Sequence, residues 1–281
     1  HLHHQACAVT FTDEETVSIR GQFPALGRQV NGRSAVFFDG PAGSQVPKRV
    51  IAAMSDYLAG RNANRGGLFA TSRESDLVLD GAHDALADFV GATDSDCIIF
   101  GANMTTLTFA LSRALAETWD LGDEILVTKL DHDGNFTPWK LAAEEMGATV
   151  REVVVRKDDC TLGIEDFRSN LNERTRLVAF CAASNLSGSV TPIAEICRLA
   201  RDAGALSFVD AVHYAPHRAI DVEAWGCDFL VCSAYKFFGP HLGVLWGRRD
   251  QLETLSPHKL RPAPDALPGR WMTGTPNHEG I

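Results

Sequence analysis

Two residues carry most of the chemical information in this chain. Asp210 closes the run Val209-Asp210-Ala-Val-His213, and Lys236 follows 26 positions later in Ser233-Ala-Tyr235-Lys236-Phe-Phe-Gly239-Pro240. Each stands where a β-branched or aromatic run stops, so an acid ends one strand and a lysine follows another. Pyridoxal 5'-phosphate (PLP) needs such a pair. A carboxylate against the pyridine nitrogen keeps that nitrogen protonated and makes the ring an electron sink, and a lysine amine forms a Schiff base with the aldehyde. A lone Asp or Lys would mean little. The competing reading, an acidic strand end and a solvated lysine, weakens as further residues join the pair.

The elements that must position these residues follow a βα rhythm. From residue 47 onward, helical periods alternate with short β-branched runs, the pattern of a mainly parallel sheet flanked by helices. Strands are expected at Asp96–Phe100, Glu124–Thr128, Val150–Val155, Arg176–Cys181, Leu206–Asp210, Phe229–Ser233 and Gly243–Trp246. Helices are expected at Pro47–Ala59, Glu74–Val90, Met104–Trp119, Asn135–Met146 and Ile193–Ala203. In such a sheet ligands sit at the carboxyl ends of the strands, so the polar strand ends should converge on one site. At one of these corners Asn103-Met104-Thr105-Thr106 opens a helix, whose free N–H groups and the Thr105 hydroxyl suit an anion; a plain N-cap is the alternative.

In these segments the sequence resembles the class V aminotransferase family, and within it the cysteine desulfurase-like proteins, from Gln22 to Ile281. The resemblance implies the large domain of a fold-type-I PLP-dependent transferase, an α/β fold with a mainly parallel seven-stranded sheet flanked by helices. It makes Asp210 the pyridine-nitrogen acid and Lys236 the Schiff-base lysine, in a Ser-x-x-Lys motif with Gly-Pro shortly after. Leu130-Asp131-His132-Asp133-Gly134-Asn135 is similar to the family's acid-His-x-x-Asn stretch, so His132 should lie on the cofactor ring and move protons at the substrate α-carbon. Asn185, in Ala183-Ser-Asn185-Leu-Ser-Gly188, should stand near the phenolic oxygen. Met104, Thr105 and Ser233 should hold the phosphate, and Thr275, in Thr273-Gly-Thr275-Pro-Asn, should reach it from a partner subunit, which implies a homodimer. Arg65 occupies a stretch that lines the family's substrate entrance; it could meet a substrate carboxylate or sit in a surface salt bridge.

Two positions depart from the better-known desulfurases. His213 stands where Gln is common three positions after the acid, and Tyr235 where His commonly precedes the lysine. Both can still hydrogen-bond, His213 to the phenolic oxygen and Tyr235 to the phosphate. The expected activity is removal of sulfur from L-cysteine, giving L-alanine and a persulfide, with a sulfur-acceptor protein as further partner. Lyase, epimerase and aminotransferase chemistry on the same site remain alternatives, as does a non-catalytic scaffold, which would predict loss of the lysine or the acid. A Gly-x-Gly-x-x-Gly dinucleotide turn and a Gly-x-Ser-x-Gly nucleophile elbow are both absent.

Size and composition agree. The chain has 281 residues, enough for one substantial core, and a net charge of -10 that offers no counter-charge to nucleic acid or an anionic membrane. With no long apolar run and no signal-like N-terminus, a cytosolic location is expected. Seven scattered cysteines read as reduced core residues, and none has zinc-ligand spacing; His1, His3 and His4 read as an artefact of cloning or reading frame rather than as metal ligands. The chain divides into an N-terminal extension (1–18, read as artefactual), a PLP-binding large domain (19–255), and a linker with the start of a C-terminal domain (256–281). The resemblance places an arginine for the substrate carboxylate and a mobile-loop cysteine beyond Ile281, so the 281 residues are expected to bind cofactor without turning over L-cysteine at a useful rate.

Overall fold

Seven strands build one sheet in the computed structural model, which describes residues 11–281. In chain order the helices are α1 (Asp13–Arg20), α2 (Lys48–Gly60), α3 (Ala70–Val90), α4 (Met104–Ala116), α5 (Thr137–Met146), α6 (Ile164–Asn170), α7 (Ile193–Asp202), α8 (Val222–Trp225) and α9 (Arg249–Thr254). The strands are β1 (Gln29–Val30), β2 (Arg33–Ser34), β3 (Ile98–Gly101), β4 (Glu124–Thr128), β5 (Thr149–Val153), β6 (Thr175–Cys181), β7 (Leu206–Asp210), β8 (Phe229–Ser233) and β9 (Gly243–Gly247). β1 and β2 form a separate antiparallel hairpin.

The main sheet runs β3-β9-β8-β7-β6-β4-β5. β9 pairs antiparallel with both β3 and β8, and the four pairings from β8 to β5 are parallel. Helices cover both faces, which is why the central strands read as near-continuous apolar runs rather than alternating ones. Val178, Ala179 and Phe180 of β6 and Phe229, Leu230, Val231 and Cys232 of β8 have no exposed surface.

Each expected strand and helix exists, with ends shifted by a few residues. The strand near residue 96 starts only at Ile98, because Ser95–Cys97 winds into a 3-10 turn capped by Asp94. The helix near residue 74 begins at Ala70 and stops at Gly91, whose positive φ of 70° places it in the left-handed region that terminates helices. α1, α6, α8 and α9 were not foreseen. α6, α8 and α9 span seven residues or fewer, too short to show a helical period, while α1 lies in the segment read as an extension. α1 has a capping box between Thr12 and Glu15 and buries none of its residues.

Five cysteines (Cys97, Cys181, Cys197, Cys227 and Cys232) are buried and free, but Cys160 is exposed in a turn, contrary to the core reading. Cys7, His1, His3 and His4 lie outside the described residues. Among the described residues no His, Cys, Asp and Glu cluster is placed to hold a metal, and no helix is long and apolar enough to cross a membrane. Residues 256–268 are irregular as expected, yet the segment packs back on the body: Trp271 is buried and its indole N–H donates to the Leu252 carbonyl at 2.9 Å.

Candidate active site

The carboxyl ends of β4, β6, β7 and β8 open into a cavity of about 390 Å3, a size suited to a small molecule. Asp210 ends β7 and Ser233 ends β8, while His132 follows β4 and Asn185 follows β6. Tyr235 and Lys236 sit on the 3-10 turn Ala234–Lys236 directly after β8, and His213 follows Asp210 by three residues. Met104 and Thr105 enter from the first turn of α4. Nine of the ten expected site residues therefore meet in one place.

At the anion corner, α4 is opened by Asn103, whose side chain accepts the Thr106 N–H at 2.9 Å. Ser233 Oγ takes the Met104 N–H at 3.1 Å, tying the helix start to the end of β8. Thr105 lines the cavity and its N–H has no protein partner among the described residues, so a helix N-terminus is left with donor capacity, while its hydroxyl donates to Met104 Sδ at 3.3 Å. This close approach requires Gly243. A Cβ there would lie 2.3 Å from the Asn103 carbonyl carbon.

The charged pair is set by burial. Asp210 is 5% exposed and its carboxyl is pushed up to about 6, chiefly by desolvation, with the Val212 N–H and the charges of His132 and Lys236 working against it. Lys236 is 7% exposed and its amine is pushed below its ordinary value by the same cause, offset by Asp210 and Asp39. Mutual attraction does not recover the desolvation of either group. A cationic N–H placed against Asp210 would be favoured there.

Three further residues bear on the cavity. His132 Nδ1 accepts the Gly134 N–H at 3.0 Å, which leaves Nε2 to carry the proton of the neutral ring. Burial pushes His213 down, with His217 and Lys236 adding to the effect, and its Nδ1 is buried without a partner. Tyr235 stacks on His241 with ring centroids 5.1 Å apart, and burial raises its phenol. Asn185 is presented by a turn in which Ser184 Oγ accepts the N–H groups of Leu186 and Ser187 at 3.2 and 3.3 Å.

Thr275 is the exception: within this chain it does not reach the cavity. It lies with Arg65 and His278 around a second cavity of about 630 Å3, and Arg65 there pairs with Asp76 at 3.4 Å and Asp80 at 3.2 Å. The salt-bridge reading of Arg65 is the one the structure supports.

Residues 39–44 form a wall that sequence reasoning missed. Asp39, Pro41 and Ala42 line the cavity, Lys236 Nζ donates to the Pro41 carbonyl, and Ser44 clasps the lysine turn by donating to the Tyr235 carbonyl at 2.9 Å and accepting the Phe238 N–H at 2.8 Å. The available signal was the turn-rich Asp39-Gly-Pro-Ala-Gly43 directly after Val36-Phe-Phe38. Cys181 also lines the cavity, with its thiol pushed far up by burial and by Asp131 and Asp210.

A lysine and an acid at the ends of neighbouring strands of a seven-stranded sheet, close to a helix N-terminus, thus share one cavity of an α/β protein. The chain belongs to the class-V aminotransferase family, whose model matches residues 36–262. It is 36% identical over 253 residues to a probable cysteine desulfurase of Streptomyces coelicolor, covering 86% of this chain and 60% of that protein. It is 33% identical over 277 residues to a probable cysteine desulfurase of Vibrio cholerae, covering 94% and 68%. The chain spans about 60% of the length of the first two curated relatives. Among solved structures it is similar to the apo cysteine desulfurase of Thermococcus onnurineus, with a TM-score of 0.87 and 27% identity over 96% of this chain and 68% of that one. An Escherichia coli cysteine desulfurase shares the fold, with a TM-score of 0.81 and 24% identity over 96% of this chain and 69% of that one.

Proposed function

We propose that the protein is a PLP-dependent enzyme of the cysteine desulfurase kind, acting on an amino acid and most simply converting L-cysteine to L-alanine with transfer of the sulfur to a protein thiol as a persulfide. The observation that carries this is the placement of Lys236 and Asp210 in one cavity, which Thr105 at the start of α4 also lines. The residues present fit the group. Asp210 is costly to keep charged and would be neutralised by a pyridine N–H, and the orphaned His213 Nδ1 awaits a polar partner. When bound, PLP supplies an electron sink for the substrate α-carbon.

The roles of the residues follow. Lys236 holds the cofactor covalently, Asp210 keeps the ring nitrogen protonated, and His132 lies against the ring and holds or moves the α-proton. Asn185 and His213 face the phenolic oxygen. Met104, Thr105, Ser233 and Tyr235 hold the phosphate, and Thr275 reaches it from the partner subunit of a homodimer, so its distance from the cavity within one chain is the arrangement a trans contact requires. Cys181 remains protonated beside two carboxyls and is a poor sulfur acceptor.

Borohydride reduction of the PLP-loaded protein followed by peptide mapping tests the assignment. Label on Lys236, lost in Lys236→Ala, is expected; label elsewhere overturns it. Alanine release from L-cysteine by the full-length protein supports the desulfurase reading. A PLP-loaded enzyme that converts only other amino acids sinks that reading while leaving the cofactor assignment standing.

A further inference from the structure

The wall formed by residues 39–44 is one chain thick and is fastened at a single place. Asp39, Pro41 and Ala42 line the cavity and are exposed to solvent as well. Within the segment, the N–H groups of Ala42 and Gly43 donate to the Asp39 carbonyl at 2.9 and 3.0 Å, closing a turn. Among the described residues, every hydrogen bond that ties the segment to the rest of the protein ends on the lysine turn, residues 235–238. The Ser44 N–H and hydroxyl both donate to the Tyr235 carbonyl, Ser44 Oγ accepts the Phe238 N–H, and Lys236 Nζ donates to the Pro41 carbonyl. Gly43 packs on the Tyr235 ring, where an added Cβ would meet Cδ2 at 3.2 Å. A fixed wall would be bonded to several elements, yet α4 and the turn after β6, which form other walls of the cavity, contribute no hydrogen bond to it.

These bonds divide the segment in two. Ser44, at one end, is clasped to main-chain groups that chemistry in the cavity leaves unchanged. Asp39–Ala42, at the other, is held by the Lys236 amine alone, whose charged form the Asp210 and Asp39 carboxyls favour. That amine is the group the proposed chemistry consumes. Condensation of its ammonium with an aldehyde forms a C=N bond, breaks the C=O bond and releases the aldehyde oxygen as water with two of the three N–H hydrogens; one N–H and the positive charge remain. Two of the three donors are then gone, and the orientation of the third is fixed by the ligand rather than by the wall.

We propose that residues 39–42 are a gate beside the cavity, latched by the free amine of Lys236, released when that amine condenses with a carbonyl ligand, and hinged at Ser44. The identity of that ligand as PLP, and of the incoming molecule as an amino acid, rests on the function proposed above. The gate is loose while the lysine is loaded, so an amino acid can enter. Once the amino acid's own nitrogen displaces the lysine from the carbonyl carbon, one C=N bond replaces another, Lys236 Nζ is free again, and its return to Pro41 closes the wall behind the substrate.

Hydrogen exchange of the full chain, read by mass spectrometry on peptides covering residues 39–45, tests this without measuring turnover. In cofactor-free protein, Lys236→Met keeps most of the side chain's reach but has no donor, so exchange at Ala42 and Gly43 should rise by about tenfold with the α2 and α4 peptides unchanged. Ser44→Ala should raise exchange across the whole segment. Saturating PLP should raise exchange in the same peptides of the unmodified chain while lowering it at residues 104–106 and 185, and this arm decides the matter if Lys236→Met fails to fold. Equal exchange in Lys236→Met and the unmodified chain overturns the proposal, as does a PLP-loaded segment protected along with the other walls. A tenfold rise in Lys236→Met, together with PLP that borohydride never fixes to Lys236, keeps the latch and sinks the cofactor reading alone.

Discussion

Replacing Gly243 with alanine tests the geometry of the anion corner more directly than any change to a polar residue. The added Cβ would lie 2.3 Å from the Asn103 carbonyl carbon, 2.6 Å from its oxygen and 2.7 Å from its Cα, where ordinary contact begins near 3.4 Å. The obstacle is backbone, and Gly243 is itself fixed by pairing with Gly101 on one side and Ser233 on the other. The start of α4 must therefore retreat by about 1 Å. Overpacking of this kind costs about 1–3 kcal/mol, and disturbing the Asn103 cap adds about 1 kcal/mol. A total of about 2–4 kcal/mol should lower the melting temperature by roughly 4–16 °C in a chain of this size. The same retreat pulls the Met104 N–H away from Ser233 Oγ and displaces the Thr105 N–H with it, so affinity for inorganic phosphate or PLP should drop by about tenfold in parallel. Gly60→Ala is the control. Nothing lies within 4 Å of its Cβ at the end of α2, so it should leave binding untouched and change stability by less than about 1 kcal/mol. A Gly243→Ala protein that melts and binds like the unmodified chain would refute the account of how β9 and α4 meet.

Three other outcomes are expected. Asp210 has a folded-state pKa raised to about 6, so its contribution to stability is present below the unfolded carboxylate value and is lost as pH rises from about 4 through 6; Asp210→Asn should flatten that part of a denaturation-versus-pH profile of cofactor-free protein. Asp228, at the opposite end of the sheet, accepts the N–H and hydroxyl of buried Ser207 and the Arg248 guanidinium, each at 2.8 Å. Asp228→Ala should cost about 2–4 kcal/mol in urea denaturation, by stranding buried donors, with PLP affinity unchanged. Sedimentation should show a dimer that tightens with PLP and loosens when Thr275 is replaced by alanine, because a ligand held by two chains favours the dimer; a PLP-loaded monomer would contradict the trans role of Thr275.

The chemistry of the site was legible in the sequence because it is written in short segments. A strand end followed by a polar residue, as at Asp210, Ser233 and Lys236, needs only the local pattern to be recognised, and the parallel topology then guarantees that such ends share one edge. The helix start at Met104 is likewise local, since Asn103 and Thr106 form its cap within four residues. Other features depend on neighbours far apart in sequence. The insertion of antiparallel β9 between β3 and β8 follows from which strands pair, and that pairing is what makes Gly243 indispensable. Pro41 meets Lys236 across 195 positions, a contact no local signal could announce. Arg65 was equally suited by type to a substrate carboxylate or a surface partner, and the placement of Asp76 and Asp80 decided between them. The protonation of Asp131, Asp210 and Cys181 belongs to the same group: residue type sets an ordinary pKa, but the dominant cause of each shift is desolvation, which exists only once strands and helices have closed around the carboxyl or thiol.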